Sequence, residues 1–464
     1  MNFLCRLAIT AAILSSTAAH ALESVPKAEY RERRVRLAAK LNGGAAILFS
    51  NVEPLLDFMP FRQDSDFYYL TGWTEPGAAL VILGPGPATT VARVGAELPA
   101  HAYREILFLP ERDLVMEKYT GAKMDAATSG AQAATGFDEV MPISSLPTVL
   151  TSFVGQDRRA RSRLLWRQTD MPAATATLAF LAATFGIADP PPDNDVRALT
   201  TQLREVKSPA EIDLLRKASN ASIVAQEAGM RAIHPGVRER TVAAIEIEKM
   251  MEEGCERPSY AAIVGSGPNS TTLHYASNDR LMQAGDVVVI DEAGEWSMYA
   301  SDITRTMPVD GHFTPRQREI YDIVLGAQRA AAAAFVAGKF RLGNINERST
   351  GVTDSLDKIA FDYINTHGKD LHGQPLGKYF VHGLGHSVGI DVHDPMNYST
   401  TKLDRGMVFT IEPGIYIPEE HIGVRIEDVF YVSSDGHLVD FIERLPHEAT
   451  AVEAAMRSTS GSKP

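Results

Sequence analysis

Short apolar runs punctuate the first part of the chain. AAILF (45–49), AALVILG (78–84) and EILFLP (105–110) predict buried strands, and ATATLAFLAATFG (174–186) predicts a helix stopped by Gly186. Pro190, Pro191 and Pro192 then interrupt both periodicities and mark a domain junction. Beyond them the apolar spacing becomes helical. SPAEIDLLRKASNASIVAQEAGMRAI (208–233) begins with Ser208 as N-cap and Pro209 at the first helical position. RERTVAAIEIEKMMEEG (238–254) is a second helix, and TPRQREIYDIVLGAQRAAAAAFVAG (314–338) repeats the Thr-Pro start. Strand-like segments at 285–310, 406–418 and 422–433 lie between and after the helices. The pattern predicts an α+β C-terminal domain over 193–464 and a smaller α/β N-terminal domain over 22–192.

Residues 1–21 read as a signal peptide. Arg6 supplies the positive start, LAITAAILSSTAA the apolar stretch, and Ala19-His20-Ala21 the small-x-small cleavage site. The expected product is exported, to the periplasm or the medium, and carries no membrane-spanning segment after cleavage. Its balance would be 44 basic against 58 acidic residues, a formal charge of −14, which argues against nucleic acid or anionic membrane as a partner. Cys5 leaves with the signal, so Cys255 stands alone and no intrachain disulfide can form.

Chemistry enters where apolar strands carry acids. If 285–310 folds as a hairpin turning at Trp296-Ser297, paired positions sum to 593 and Asp291 faces Asp302, with β-carbons roughly 5 Å apart. A second hairpin over 408–432, turning at Glu419-Glu420, pairs positions summing to 839 and sets Glu412 opposite Glu427. Ionised carboxylates so placed repel unless a cation compensates them. Arg425, two residues from Glu427, can neutralise one; divalent ions suit the rest, with an imidazole from His382, His386 or His393 in VHGLGHSVGIDVHD (381–394), or from His274.

With these residues the chain resembles the metallopeptidases of the "pita-bread" fold, which include methionine aminopeptidase, prolidase and aminopeptidase P. The motifs are PSYAAIVGSGPNSTTLHY (258–275), VVVIDEAGEWSMYASDITRTMPVDGHFT (287–314), HGLGHSVGIDVHD (382–394), GMVFTIEPGIYI (406–417) and GVRIED (423–428). FRQDSDFYYLTGWTEPGAALVI (61–82) resembles the leading domain of aminopeptidase P. The resemblance implies metal ligands at Asp291, Asp302, His386, Glu412 and Glu427, with Asp302 and Glu427 bridging. It places Glu412, His274, His393 and Arg425 at catalytic positions, and Tyr260 and His382 at substrate-binding ones. One departure is Glu292, in Asp291-Glu292-Ala293-Gly294, where many relatives have Asp-Ala-Gly. Another is Tyr68, where some aminopeptidases P carry Trp in a substrate-contacting run.

The implied activity is release of the N-terminal residue from peptides with proline in second position. Two divalent ions would serve as cofactors, manganese(II) first, with cobalt(II) or zinc(II) as alternatives, in a homo-oligomer (dimer or tetramer). The rival readings are a prolidase confined to Xaa-Pro dipeptides, a metal-free creatinase-like hydrolase, and a non-catalytic peptide-binding module.

Overall fold

The computed structural model describes residues 23–53, 61–85, 103–156, 164–166, 172–185 and 195–457 of the 464-residue chain. The expected signal peptide with its cleavage point, and the three junction prolines, lie outside these residues. Among the described residues no helix is long and apolar enough to cross a membrane.

The N-terminal part is built on a five-stranded sheet ordered Glu139–Pro142, Arg104–Leu109, Ala79–Leu83, Ala45–Phe49, Leu164–Trp166. Its inner pairings are antiparallel and its two edge pairings parallel. Successive side chains point to opposite faces. Ala46, Leu48, Leu80, Ile82 and Leu107 therefore join a core continuous with the C-terminal half, whereas Ala45, Ile47, Val81 and Phe108 pack with Leu150 and Leu181 in a core of their own. Burial on both faces is why these strands read as unbroken apolar runs.

In the C-terminal half, two long helices each back onto a β-hairpin. The helix Pro209–Ala232 opens with a capping box, in which Ser208 Oγ accepts from Glu211 N and Glu211 returns a bond to Ser208 N. Pro315–Ala334 opens the same way, with Thr314 and Gln317. The first hairpin pairs Val287–Asp291 with Thr304–Pro308, then opens, then pairs Gly294–Trp296 with Tyr299–Ala300. The second pairs Val408–Ile411 with Asp428–Val432, opens, and pairs Gly414–Ile417 with Ile422–Arg425.

The second register is the expected one: Ile411 faces Asp428 and Gly414 faces Arg425, so the sum of 839 holds on both sides of the opening. The first is displaced. Asp291 pairs with Thr304 and Trp296 with Tyr299, a sum of 595 rather than 593. The turn is formed by Ser297 and Met298, both at positive φ, and not by Trp296-Ser297. Ser297 N donates to Glu256 Oε2 at 2.7 Å, and Met298 is buried, so tertiary contacts hold a turn that lacks the usual Asn or Gly. Because the displacement is two residues, Asp302 keeps its face; it sits diagonal to Asp291 instead of opposite it.

The N-terminal part touches the C-terminal half beside this hairpin. Arg62 Nε donates to Glu295 Oε2 at 2.6 Å, and buried Arg204 binds Asp66, Asp391 and Asp394 at 2.8, 2.7 and 2.5 Å. Tyr68 is fully buried, edge-on to Tyr30, with its hydroxyl 3.5 Å from Ser297 O. It braces the turn and does not line the cavity that holds the acids. Cys255 is buried, its thiol pushed up to about 12 by burial, consistent with an inert packing role.

Candidate metal centre

The openings in the two ladders are where the acids sit. Asp291, at the end of its strand, and Asp302 come from the first hairpin; Glu412 and Glu427 flank the gap in the second. The hairpins are joined side to side, Glu427 N donating to Thr304 O at 3.1 Å, which brings the four carboxylates to one cavity of about 430 Å³. His386 arrives on a loop that runs beside the second hairpin. Its backbone N–H binds Thr410 Oγ1 at 3.0 Å, and Thr410 N donates to His386 O at 2.8 Å. Gly385 makes this approach possible, since a β-carbon there would stand 2.1 Å from Thr410 O.

Single donor atoms of Asp291, Asp302 and Glu427 lie within 4.8 Å of one another, and so do those of His386, Glu412 and Glu427. The two triads share Glu427. His386 Nε2 stands 3.3 Å from Asp302 Oδ2 and 3.2 Å from Glu412 Oε1. Burial drives Asp302 up to about 6 and Glu427 well above the usual carboxylate range, reinforced by the neighbouring acids. Burial opposes Glu412 too, but the hydrogen bond and charge of His386 hold it at about 2. His386 itself, although burial lowers it, is held well up by Asp302 and Glu412. Asp291 Oδ1 and Glu427 Oε1 are buried with no hydrogen-bond partner. A carboxylate-rich, imidazole-containing set with orphaned oxygens fits two divalent cations.

The supporting residues form a rim. Arg425 is buried and reaches across the hairpins, with Nη2 2.5 Å from Asp291 Oδ2, Nε 3.0 Å from Thr304 Oγ1 and Nη1 2.9 Å from Tyr416 OH. It neutralises Asp291, not its strand neighbour Glu427. Tyr260 donates to Asp302 Oδ1 at 2.7 Å. His382 Nε2 is 2.9 Å from Tyr416 OH. His393 lies with its ring centre 3.9 Å from that of His386, held neutral at about 4 by burial and the neighbouring imidazoles. His274 is exposed on the cavity wall.

Nine of the ten candidates therefore line one cavity, and Tyr260 lines an adjoining one that shares His274, Asp291, Asp302 and His393 with it. Three polar partners escaped the sequence reading. Thr304 Oγ1 donates to Glu427 Oε2 at 2.6 Å, Thr410 Oγ1 to Glu412 Oε1 at 3.1 Å, and Tyr416 links Arg425 to His382. Thr304 and Thr410 each stand two residues from an acid on the same strand face, so period-two alternation points to them. A separate cluster of Asp428, Asp440 and His447 is occupied by Arg305, whose Nη2 lies 2.7 Å from Asp428 Oδ1.

One residue beyond Asp291, Glu292 turns from the cavity into the protein. Glu292 and Glu246 are fully buried, and none of their four carboxylate oxygens has a hydrogen-bond partner. Burial, with the charge of Asp291, pushes Glu292 up to about 9; burial and Glu292 raise Glu246 well above its usual range.

Comparison with known proteins agrees with this geometry. Residues 213–434 match Metallopeptidase family M24, and residues 30–161 match the aminopeptidase P N-terminal domain. The chain is 32% identical to Xaa-Pro aminopeptidase of Haemophilus influenzae, over 94% of this chain and 98% of that protein. The chain belongs to metallopeptidase family M24. Members similar to it include Xaa-Pro dipeptidase of Pyrococcus furiosus, 40% identical over 50% of this chain and 62% of that protein. Zinc-substituted Escherichia coli aminopeptidase P in complex with product superposes with a TM-score of 0.75 at 28% identity, covering 94% of this chain and 99% of that one. The C-terminal half is thus the pita-bread domain of an M24 enzyme, and the protein is a metallo-aminopeptidase hydrolase.

Proposed function

We propose that this protein is an exported, dinuclear Xaa-Pro aminopeptidase, which removes the N-terminal residue from peptides whose second residue is proline. The observation that carries the reading is the pair of candidate ligand triads sharing Glu427 in one cavity. Full-length similarity to Xaa-Pro aminopeptidases, including the N-terminal domain, supports the specificity.

Asp291, Asp302 and Glu427 would hold one divalent ion, and His386, Glu412, Asp302 and Glu427 the other. Manganese(II) suits this oxygen-rich set, with cobalt(II) and zinc(II) as alternatives. Ions held there supply Lewis acidity, which makes water a competent nucleophile near neutral pH and polarises the scissile carbonyl. Glu412, facing the cavity, accepts the proton of the attacking water and returns it to the prolyl nitrogen as the bond breaks. Arg425 orients Asp291 through the hydrogen bond from Nη2 to Oδ2. Tyr260 donates to Asp302 Oδ1 and so fixes the orientation of that carboxylate. His274 and His393 stand on the wall where the substrate carbonyl develops negative charge, and a neutral His393 can donate a hydrogen bond to it. His382, tied to Tyr416, borders the substrate space.

The deciding experiment is product analysis on matched Xaa-Pro and Xaa-Pro-Yaa peptides with added Mn²⁺. Loss of only the first residue, with higher kcat/KM on the longer peptides, is expected. Preference for dipeptides would favour the second reading, a prolidase, which the similarity to the Pyrococcus dipeptidase keeps in play. Export follows from residues 1–21, and a homo-oligomer, dimer or tetramer, completes the proposal.

A further inference from the structure

Both ladders are interrupted at the acids, and in each interruption a buried glutamine from the backing helix binds the backbone of both strands. Gln226, on the helix Pro209–Ala232, is fully buried, and its Nε2 donates to Glu292 O at 3.1 Å and Ile303 O at 3.2 Å. These carbonyls directly follow Asp291 and Asp302. Gln328, on Pro315–Ala334, is also buried, and its Nε2 donates to Ile411 O at 3.0 Å, Ile426 O at 3.4 Å and Asp428 Oδ2 at 2.7 Å. Those two carbonyls directly precede Glu412 and Glu427. An amide NH₂ is a neutral group with two hydrogens, one for each carbonyl at Gln226; at Gln328 three acceptors converge on the same two hydrogens, so one is shared.

We propose that Gln226 and Gln328 are a matched pair of positioning residues. Each spans one hairpin opening and sets the separation of the two carboxylates beside it, and so the affinity with which the site retains divalent ions. The inference rests on the ligand set proposed above. Ile411 O and Ile426 O lie in the rigid peptide planes that end on the Cα atoms of Glu412 and Glu427, so fixing them restricts the direction in which those side chains leave the backbone. The Gln226 contacts anchor the chain one residue beyond Asp291 and Asp302. At the first opening Gln226 reinforces a backbone bond that still crosses it, Glu292 N to Ile303 O at 3.2 Å, and at the second Gln328 links the two strands through its side chain. One donor group bonding both strands fixes the two acids relative to each other, which two independent contacts would not do. Neither glutamine lines the cavity, so each acts through the acids and not on substrate.

The test is Mn²⁺ titration calorimetry on metal-free wild type, Gln226→Met and Gln328→Met, beside thermal melts without metal. Methionine keeps the length and removes the donor. Either variant should bind Mn²⁺ roughly 10- to 100-fold more weakly, the range for losing a residue that orients a ligand. Saturating Mn²⁺ should restore two ions per chain and the magnetic coupling between them in electron paramagnetic resonance. Lower melting temperatures with unchanged Mn²⁺ affinity would reduce the glutamines to packing residues and overturn the proposal. Should a methionine variant not fold, Gln226→Leu or Gln328→Leu, which is apolar and also lacks the donor, decides by the same readout. Wild-type protein that binds no Mn²⁺ would overturn the metal-centre reading as well, so the two failures are distinguishable.

Discussion

Arg425 holds Asp291 through a 2.5 Å hydrogen bond from Nη2 to Oδ2, joining the second hairpin to the first by a buried ion pair. The same guanidinium binds Thr304 and Tyr416, so its orientation is fixed on three sides. Replacement by glutamine removes the charge and most of the fork. Arg425→Gln should keep its fold and lose about 10- to 100-fold in kcat/KM, as expected when a ligand's orienting partner goes. Wild-type kinetics in this variant would remove Arg425 from the site.

Glu412 and Asp302 separate proton transfer from metal retention. Glu412→Gln retains the shape but cannot take a proton, and should lower kcat by at least ~10²- to 10⁴-fold, the usual contribution of a general base. Asp302→Asn should lose bound metal, measurable by elemental analysis, because a bridging carboxylate has lost its charge. Turnover by both at the wild-type rate on an Xaa-Pro peptide would show the site to be misassigned.

The Glu246–Glu292 pair makes the stability of the metal-free protein depend on pH. Glu292 keeps its proton in the folded state up to about 9, whereas an unfolded glutamate loses it near ~4.3. Between these limits the folded state binds more protons, so stability falls as pH rises, by up to ~1.4 kcal/mol per pH unit for one group. Glu246, raised in the same direction, adds to the trend. Denaturant midpoints should therefore drop from pH 5 to pH 8 in wild type and less steeply in Glu292→Gln. Parallel profiles would refute the buried-proton account.

Metal removal should both silence and destabilise the enzyme. A chelator is expected to abolish peptide cleavage, and Mn²⁺ to restore it. An ion present at a hundred times its dissociation constant adds about 2.7 kcal/mol per site, visible as a higher melting temperature. Full activity in exhaustively chelated protein would exclude the proposed chemistry.

Export is tested by the N-terminus of secreted material, expected at Leu22. Intact Met1 on cytoplasmic protein would overturn the signal-peptide reading.

Much of the fold was legible because local rules decided it. Ser208-Pro209 and Thr314-Pro315 announce their helices, and the second hairpin's register follows from a turn centred on Glu419-Glu420. The first register was not legible: Ser297 and Met298 adopt positive φ under contacts from Glu256 and the N-terminal part, and no local preference encodes that. Facing acids and clustered histidines pointed to the site. Tyr416, Gln226 and Gln328 did not stand out, since each matters only through partners more than thirty positions away or on another strand.

The division of the acids between two hairpins has a consequence for how the chain is made. Asp291 and Asp302 leave the ribosome long before His386 and Arg425, the groups that offset their charge. Until the second hairpin emerges, the first carries two unrelieved acids at its ladder opening and has no reason to close there. The C-terminal half should therefore mature as one cooperative unit late in synthesis, and a nascent chain released early would be both unfinished and unable to attack peptides around it.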